Sequence, residues 1–394
     1  MAAFIPFNVR DIQEDGGTYL GVNAMSGNLI LCNRMGLMNQ SSLVLGVPGS
    51  GKSMITKSLI IPIILNSKDV VMICDPEGEY AHLVEALSDD DCSVIHISAG
   101  GKDRLNAMFM VEGYGESNSV VAKSEFILSL VARIDENGVK PQQKSIIDRC
   151  IREIYREANE TGTIPTLCTL REKLLVQPEP EAMDVALALE LYTEGSLDIF
   201  GQQGNVDLSK RIIVFDIHEL SEHLKAAALL VITDAMLNRV SLNWKKNVRT
   251  HLFLDEFHVM LSDQYSTQFF TSAWRQFRKR NAYPTAITQN VEFLTSQVTG
   301  RTMVSNSECV IMLNQGQDDR EELAKILNIS EQESKYITDA RPGTGLIRIG
   351  GSIVPFINHY PADTKLYQLM TTKPGEGVFS GLPEGIEGAF EDAG

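Results

Sequence analysis

Residues 43–53 read Leu43-Val44-Leu45-Gly46-Val47-Pro48-Gly49-Ser50-Gly51-Lys52-Ser53. The last eight fit G-x-x-x-x-G-K-[ST], and the first three are the apolar run that such a loop follows, so the stretch predicts strand, phosphate loop and helix in that order. The glycines let the backbone curl until successive N–H groups converge on phosphate, at the positive end of the following helix. Gly46, Val47, Pro48, Gly49, Ser50, Gly51, Lys52 and Ser53 are therefore the candidate phosphate-binding residues. Lys52 is expected to reach the β- and γ-phosphates, and the Ser53 hydroxyl to ligate Mg²⁺. At average glycine usage the four fixed positions recur by chance in roughly one chain in a hundred of this length. The preceding strand and the helix-forming run from Met54 to Leu65 tighten the assignment.

The rest of the composition sets bounds on what such a loop can serve. With 394 residues, 43% of them hydrophobic, the chain can build a large core, and a folded, soluble protein is expected. Aliphatic stretches such as Leu59 to Leu65, with Pro62 inside, fall far short of the ~20 residues of a membrane span. No charged-then-apolar leader opens the chain, and six cysteines lie scattered with no C-x-x-C pair, which fits reduced cytoplasmic thiols. Thirty-five basic against 51 acidic residues give a formal charge of −16, which speaks against a broad nucleic-acid face while leaving room for a local basic loop.

Outward from the loop, short apolar runs alternate with helical stretches. Turn signals before residue 40 suggest a small hairpin, and Val70 to Cys74 and Val94 to Ile97 read as buried strands. After an interval come Ile212 to Asp216, a helix from about Glu222 to Val240, His251 to Glu256, Thr285 to Thr288, Cys309 to Leu313, Gly345 to Ile349 and Ile353 to Phe356. The expected fold is α/β, an open and mostly parallel sheet with helices on both faces. Between about 115 and 205 the apolar period turns to three and four, as in Phe126, Leu130, Ile134, which predicts an inserted all-helical subdomain. Thr166-x-x-Thr169 is placed to start one of its helices. The domain plan is thus a first part of the core over 1–114, the insertion over 115–205, a second part over 206–372 and a flexible acidic, glycine-rich tail over 373–394. Six glycines, two prolines and five acidic residues in the 22 positions of that tail leave little to bury.

The strand Leu252-Phe253-Leu254 delivers Asp255 and Glu256 at its carboxyl end, where ligands bind in such sheets. Paired with the phosphate loop, Asp255 is the candidate Mg²⁺ residue and Glu256 the group that polarises the attacking water. Gln289, ending another strand, suits a γ-phosphate sensor or water-orienting amide, the alternative being a turn in which Asn290 caps the next helix. Arg275 and Arg278 lie three apart in Trp274-Arg275-Gln276-Phe277-Arg278-Lys279-Arg280 and share a helix face. They read equally as cations complementing a helix terminus or as arginines supplied to a neighbouring subunit's γ-phosphate. Asp75-Pro76-Glu77-Gly78-Glu79-Tyr80 is a turn by composition, yet it follows a strand near the loop, which makes Asp75, Glu77 and Glu79 further candidates beside the nucleotide.

Taken in this order, the pieces resemble the HerA/FtsK superfamily of ring-forming motor ATPases, and within it the VirB4 type of conjugative-transfer ATPase, including the TraC and TrbE kind. The resemblance rests on Tyr19-Leu20-Gly21, Gly27-Asn28, Gly46 to Ser53, Asp75 to Tyr80, Phe215-Asp216-Ile217, Leu254-Asp255-Glu256, Trp274-Arg275-x-x-Arg278-Lys279 and Thr288-Gln289-Asn290, and covers most of residues 15 to 360. It implies a P-loop NTPase core of the RecA-like kind that hydrolyses ATP with Mg²⁺ as the carboxy-terminal motor of a type IV secretion system. The place it implies is cytoplasmic, peripheral at the inner face of the cell membrane beside other channel components.

The family usually carries an amino-terminal domain, and the abrupt Met-Ala-Ala-Phe-Ile-Pro opening suggests that one is missing here. Self-association into a hexamer is the state the resemblance implies for the full-length protein, with the monomer expected of this chain alone. It also implies that Arg278 first, and Arg275 second, completes a neighbour's site. A DNA-pumping coupling protein or DNA translocase of the same superfamily is the nearest rival, with DNA a partner that the net charge does not favour. A non-hydrolysing nucleotide-binding scaffold is the rival from another class.

Overall fold

The computed structural model describes residues 11–372, apart from 116–117, 135–137, 196 and 262–263. The expected tail over 373–394 lies outside the described residues. Its frame is one sheet of eleven strands: β1 (Thr18–Asn23), β2 (Leu29–Cys32), β3 (Ser42–Leu45), β4 (Val70–Asp75), β5 (Cys92–His96), β6 (Ile212–Asp216), β7 (Thr250–Leu254), β8 (Ala282–Thr288), β9 (Cys309–Met312), β10 (Thr344–Ile349) and β11 (Ser352–Ile357). Their order is β2-β1-β11-β10-β9-β3-β8-β7-β4-β6-β5. From β9 to β5 all neighbours pair in parallel, whereas β10, β11, β1 and β2 add an antiparallel flank.

The sequence dictates that division. β3, β4, β6, β7, β8 and β9 are buried along their whole length, as their unbroken apolar runs require of strands covered on both faces. Alternate residues of each strand enter different cores. Leu43, Leu45, Met72, Cys74, Leu252 and Leu254 join one, while Val44, Val71, Ile73 and Phe253 join the other. The helix Lys52–Asn66 that follows the phosphate loop packs in the second core through Ile55, Leu59, Ile60 and Ile64. The helices Glu222–Lys245 and Gln264–Lys279 pack in the first. The early hairpin, β1 with β2, seats on β11 at the end of the antiparallel flank rather than beside β3, because the long excursion of the chain leaves β3 to pair with β8 and β9.

Four helices, Ser119–Ile134, Pro141–Thr161, Leu167–Leu175 and Pro180–Thr193, stand between β5 and β6. Thr166 caps the third, its hydroxyl accepting from the Thr169 N–H. Their inward faces are continuous with the first core rather than closed on themselves: Phe126 lies 5.1 Å from Phe269, ring centre to ring centre. One polar contact runs through the same seam. Lys123 Nζ is 2.6 Å from Asp234 Oδ2 with both side chains buried, and Tyr114 Oη also donates to that carboxylate. No helix among the described residues is long and apolar enough to cross a membrane.

Candidate functional site

Because β9 to β5 are parallel, their carboxyl ends share one edge of the sheet. There the loop after β3 meets the residues that follow β8, β7 and β4. β8 separates β3 from β7, so Gln289 stands between the phosphate loop on one side and Asp255-Glu256 on the other.

The loop is fixed at its base and open at its tip. The Gly46 N–H donates to the Thr288 carbonyl (3.3 Å) and the Val47 N–H to that of Asn314 (3.0 Å). Lys52 folds back over the curl, donating to the carbonyls of Gly46 (2.9 Å) and Val47 (3.2 Å), and burial lowers its pKa. Gly51 has φ +97°, and a Cβ there would come within 2.9 Å of the Gly343 backbone nitrogen, so this position demands glycine on two counts. As the residue ahead of the helix Lys52–Asn66, Gly51 offers no side chain to cap it, and the buried Ser50 hydroxyl has no hydrogen-bond partner. A helix start with uncapped N–H groups, an orphaned hydroxyl and a nearby lysine fits a phosphate group.

Facing the loop across a cleft of about 370 Å³ are the carboxylates. Asp255 is buried, accepting from the Tyr80 hydroxyl (2.9 Å) and the Glu256 N–H (2.9 Å), and burial pushes its pKa up to about 7. Ser53 and Asp255 line the same cleft, and a hydroxyl with a carboxylate is a hard-oxygen donor set that fits Mg²⁺. Glu256 has φ +47°, a left-handed conformation that costs a non-glycine residue free energy. Its carboxylate is clamped: Gln289 Nε2 donates to Oε1 (3.0 Å), and His258 Nδ1 lies 3.1 Å from Oε2. Thr288 Oγ1 braces that arrangement, 3.1 Å from His258 Nδ1 and accepting from the Asn290 N–H.

The structure separates the three acidic residues of the Asp75 to Tyr80 stretch. Asp75 is fully buried and accepts from the N–H groups of Glu79 (3.0 Å) and Tyr80 (2.9 Å), closing the loop after β4, while burial pushes its pKa up to about 6. Glu77 and Glu79 line the cleft. Arg275 and Arg278 are exposed on the helix Gln264–Lys279 and line neither the cleft nor the loop. Arg280 is instead buried, donating to the Ser241 hydroxyl and the Gly115 carbonyl.

Three residues of the cleft, and one buried behind it, escaped sequence reasoning. Tyr80 lay within a stretch already singled out, but its grip on Asp255 spans 175 positions and left no local signal. Glu222, Lys225 and His258 belong to no motif. Lys225 reaches the cleft from the first turns of its helix, 3.1 Å from Glu222 and 3.7 Å from Glu77.

Residues 27–189 match the family model of the central domain of the helicase HerA, and residues 181–341 match that of the TraG P-loop domain. A search of curated protein sequences gives no match. Among solved structures, the chain is similar to VirB4 of Thermoanaerobacter pseudethanolicus, with a TM-score of 0.78 at 21% identity over 89% of this chain and 98% of that one. It is similar as well to the bacterial conjugative coupling protein TrwBdeltaN70, with a TM-score of 0.59 at 16% identity over 89% and 91% of the two chains. TrwB in complex with the non-hydrolysable GTP analogue GDPNP gives a TM-score of 0.55 at 16% identity over 82% and 88%.

Proposed function

We propose that this chain, which in sequence and fold matches the P-loop ATPases of the VirB4/TraG, HerA-like type, hydrolyses ATP with Mg²⁺ to power conjugative transfer or pilus assembly in a type IV secretion system. The observation that carries the reading is the clamp on Glu256, held by Gln289 and beside His258 across the cleft from Lys52. A free, mobile carboxylate would suit a surface. One held at Oε1 by an amide, with Oε2 buried beside an imidazole and free of any hydrogen-bond donor, on a backbone held at positive φ, suits a group that takes a proton in a fixed direction.

In this mechanism Lys52 exchanges its hydrogen bonds to the Gly46 and Val47 carbonyls for the β- and γ-phosphates. Ser53 and Asp255 would hold Mg²⁺, which would supply positive charge against the phosphates. Tyr80 fixes the Asp255 carboxylate for that task. Glu256 accepts the proton of the water that attacks the γ-phosphorus, and Gln289 keeps the Glu256 carboxylate aimed. Glu77 and Glu79 line the same cleft, and one of them would assist in activating that water. The protein acts at the cytoplasmic face of the membrane, self-associating and contacting other channel components.

Steady-state hydrolysis tests the assignment. Lys52→Ala is expected to lose tight binding or turnover, and Glu256→Gln to keep binding while turnover falls about 10²-fold or more. Unchanged hydrolysis by purified Lys52→Ala protein would sink the site. The match to the helicase HerA model favours one rival, a DNA-pumping motor. A rate strongly stimulated by DNA, with a steep salt dependence, would move the reading there.

A further inference from the structure

A second cavity, of about 310 Å³, meets the carboxylate cleft at Gly49, Lys52, Ser53 and Glu79 and shares no other lining residue with it. Its character is different. Beyond the shared Glu79, the cleft gathers the carboxylates of Glu77, Glu222, Asp255 and Glu256, whereas this cavity is walled by Met54, Pro342, Tyr360, Tyr367 and Met370. Planar, mostly apolar walls with a few polar groups at the rim are what an aromatic heterocycle requires.

The walls are fastened to the phosphate loop itself. The Gly343 N–H donates to the Ser50 carbonyl (3.1 Å), and the Asn358 N–H donates to the Gly343 carbonyl (2.8 Å), which ties the start of β10 and the end of β11 to the curl. Gly343 has φ +77°, and a Cβ there would lie 2.5 Å from the Asn358 carbonyl oxygen, so the junction admits only glycine. On the outer side, Lys57 of the phosphate helix is buried and donates to the Met370 carbonyl (2.9 Å) at the end of the helix Lys365–Met370. Loop, strand ends and terminal helix are therefore held in one geometry.

We propose that this cavity receives the base and ribose of the bound nucleotide, with the base held against Tyr360 and Tyr367; the inference rests on the reading of residues 46–53 as a triphosphate site. A triphosphate is a linear chain with its γ end toward the metal and water residues. Those residues, Asp255 and Glu256, occupy only the cleft. The α end then leaves the loop past Gly51 and Ser53, toward Pro342 and the terminal helix. The reverse orientation would set the base among the four carboxylates that only the cleft holds and the triphosphate among tyrosines, which Coulomb repulsion and desolvation both oppose.

The experiment combines photolabelling with two affinities. Wild-type protein is irradiated with 8-azido-ATP and the labelled peptides are mapped by mass spectrometry. Affinities for ATP and for inorganic tripolyphosphate are measured on wild type, Tyr367→Ala and Tyr367→Phe. Label within residues 342–372 is expected, with ATP weakened about tenfold by Tyr367→Ala, largely restored in Tyr367→Phe, and tripolyphosphate unaffected. Label confined to the peptides around Glu222 or His258 would overturn the proposal, as would Tyr367→Ala protein that binds ATP like wild type. Equal weakening of ATP and tripolyphosphate would also overturn it, since the tyrosine would then act through the loop. If wild type binds neither ATP nor tripolyphosphate, the triphosphate reading itself has failed. Tight binding of both together with a silent Tyr367→Ala removes the base site alone.

Discussion

The Asp75 carboxyl illustrates what a single buried group contributes. Burial raises it from the ordinary 3.8 to about 6, against the two backbone N–H groups that favour its ionised form. A carboxyl raised on folding stabilises the native state below its unfolded pKa, and that contribution is lost as pH rises through the folded value. The nucleotide-free chain should therefore lose stability from this group between pH 4 and pH 7, by up to about 3 kcal/mol. Asp75→Asn removes the titration while keeping an acceptor for the loop, so urea unfolding across that range should show a flatter pH dependence than wild type. An unchanged slope would assign the dependence to other groups. At this same scale the limits of reading from sequence are plain. Lys52, Ser53, Asp255 and Glu256 could be picked out as candidates because phosphate and metal chemistry needs fixed residue types beside a strand end, which is a local pattern, and the structure brings all four to one cleft. Tyr80 was not, because it acts on Asp255 from 175 positions away, and Lys225 was not, because its pairing with Glu222 on its own helix looks like any surface i,i+3 pair and nothing local marks its approach to Glu77.

At the scale of elements, the seam between the helix Ser119–Ile134 and the helix Glu222–Lys245 holds the most demanding contact in the molecule. Lys123 and Asp234 are both buried, and the Lys123 ammonium lies 4.7 Å from the centre of the Tyr114 ring and donates to the Ala107 carbonyl (3.2 Å). Removing one partner strands the other charge, so Lys123→Met should cost about 3–5 kcal/mol in denaturant unfolding. The double variant Lys123→Met/Asp234→Leu should recover much of that loss. Strictly additive losses would show that the two charges do not interact. The same helix Glu222–Lys245 presents Lys225 to the cleft in its first turns, so the seam also positions a cation at the cleft.

The elements themselves were largely legible. Buried parallel strands read as unbroken apolar runs, and the three-and-four period marked the helices between β5 and β6. The order of strands was not legible. Pairing of β3 with both β8 and β9 joins residues more than 200 positions apart, and no local pattern encodes which apolar run lies beside which. That ordering is what sets Gln289 between the loop and Glu256, so its role was visible only as the end of a strand.

For the whole molecule the decisive quantity is charge. The cleft carries the carboxylates of Glu77, Glu79, Glu222, Asp255 and Glu256, and among its described lining residues only Lys52 and Lys225 are permanent cations. A triphosphate would add several further negative charges, and on the proposed mechanism a further cation would stabilise the transition state. We propose that a neighbouring chain supplies it. Arg275 and Arg278 stand exposed on the helix Gln264–Lys279, which ends three residues before β8 begins, at the edge of the sheet opposite the phosphate loop. From there they cannot serve their own cleft, whereas a neighbour packed edge to cleft would receive them. Three consequences follow for solution behaviour. Specific ATPase activity should rise with protein concentration and tend toward a low limit for the dilute monomer. Arg278→Ala should lose about 10³-fold or more in turnover at saturating protein while keeping its affinity for ATP. Mixing Arg278→Ala with Glu256→Gln protein should restore part of the rate, because some interfaces then join an intact arginine to an intact glutamate. Full turnover by a species shown to be monomeric in sedimentation would contradict this, since every cation the reaction needs would then already lie within one chain.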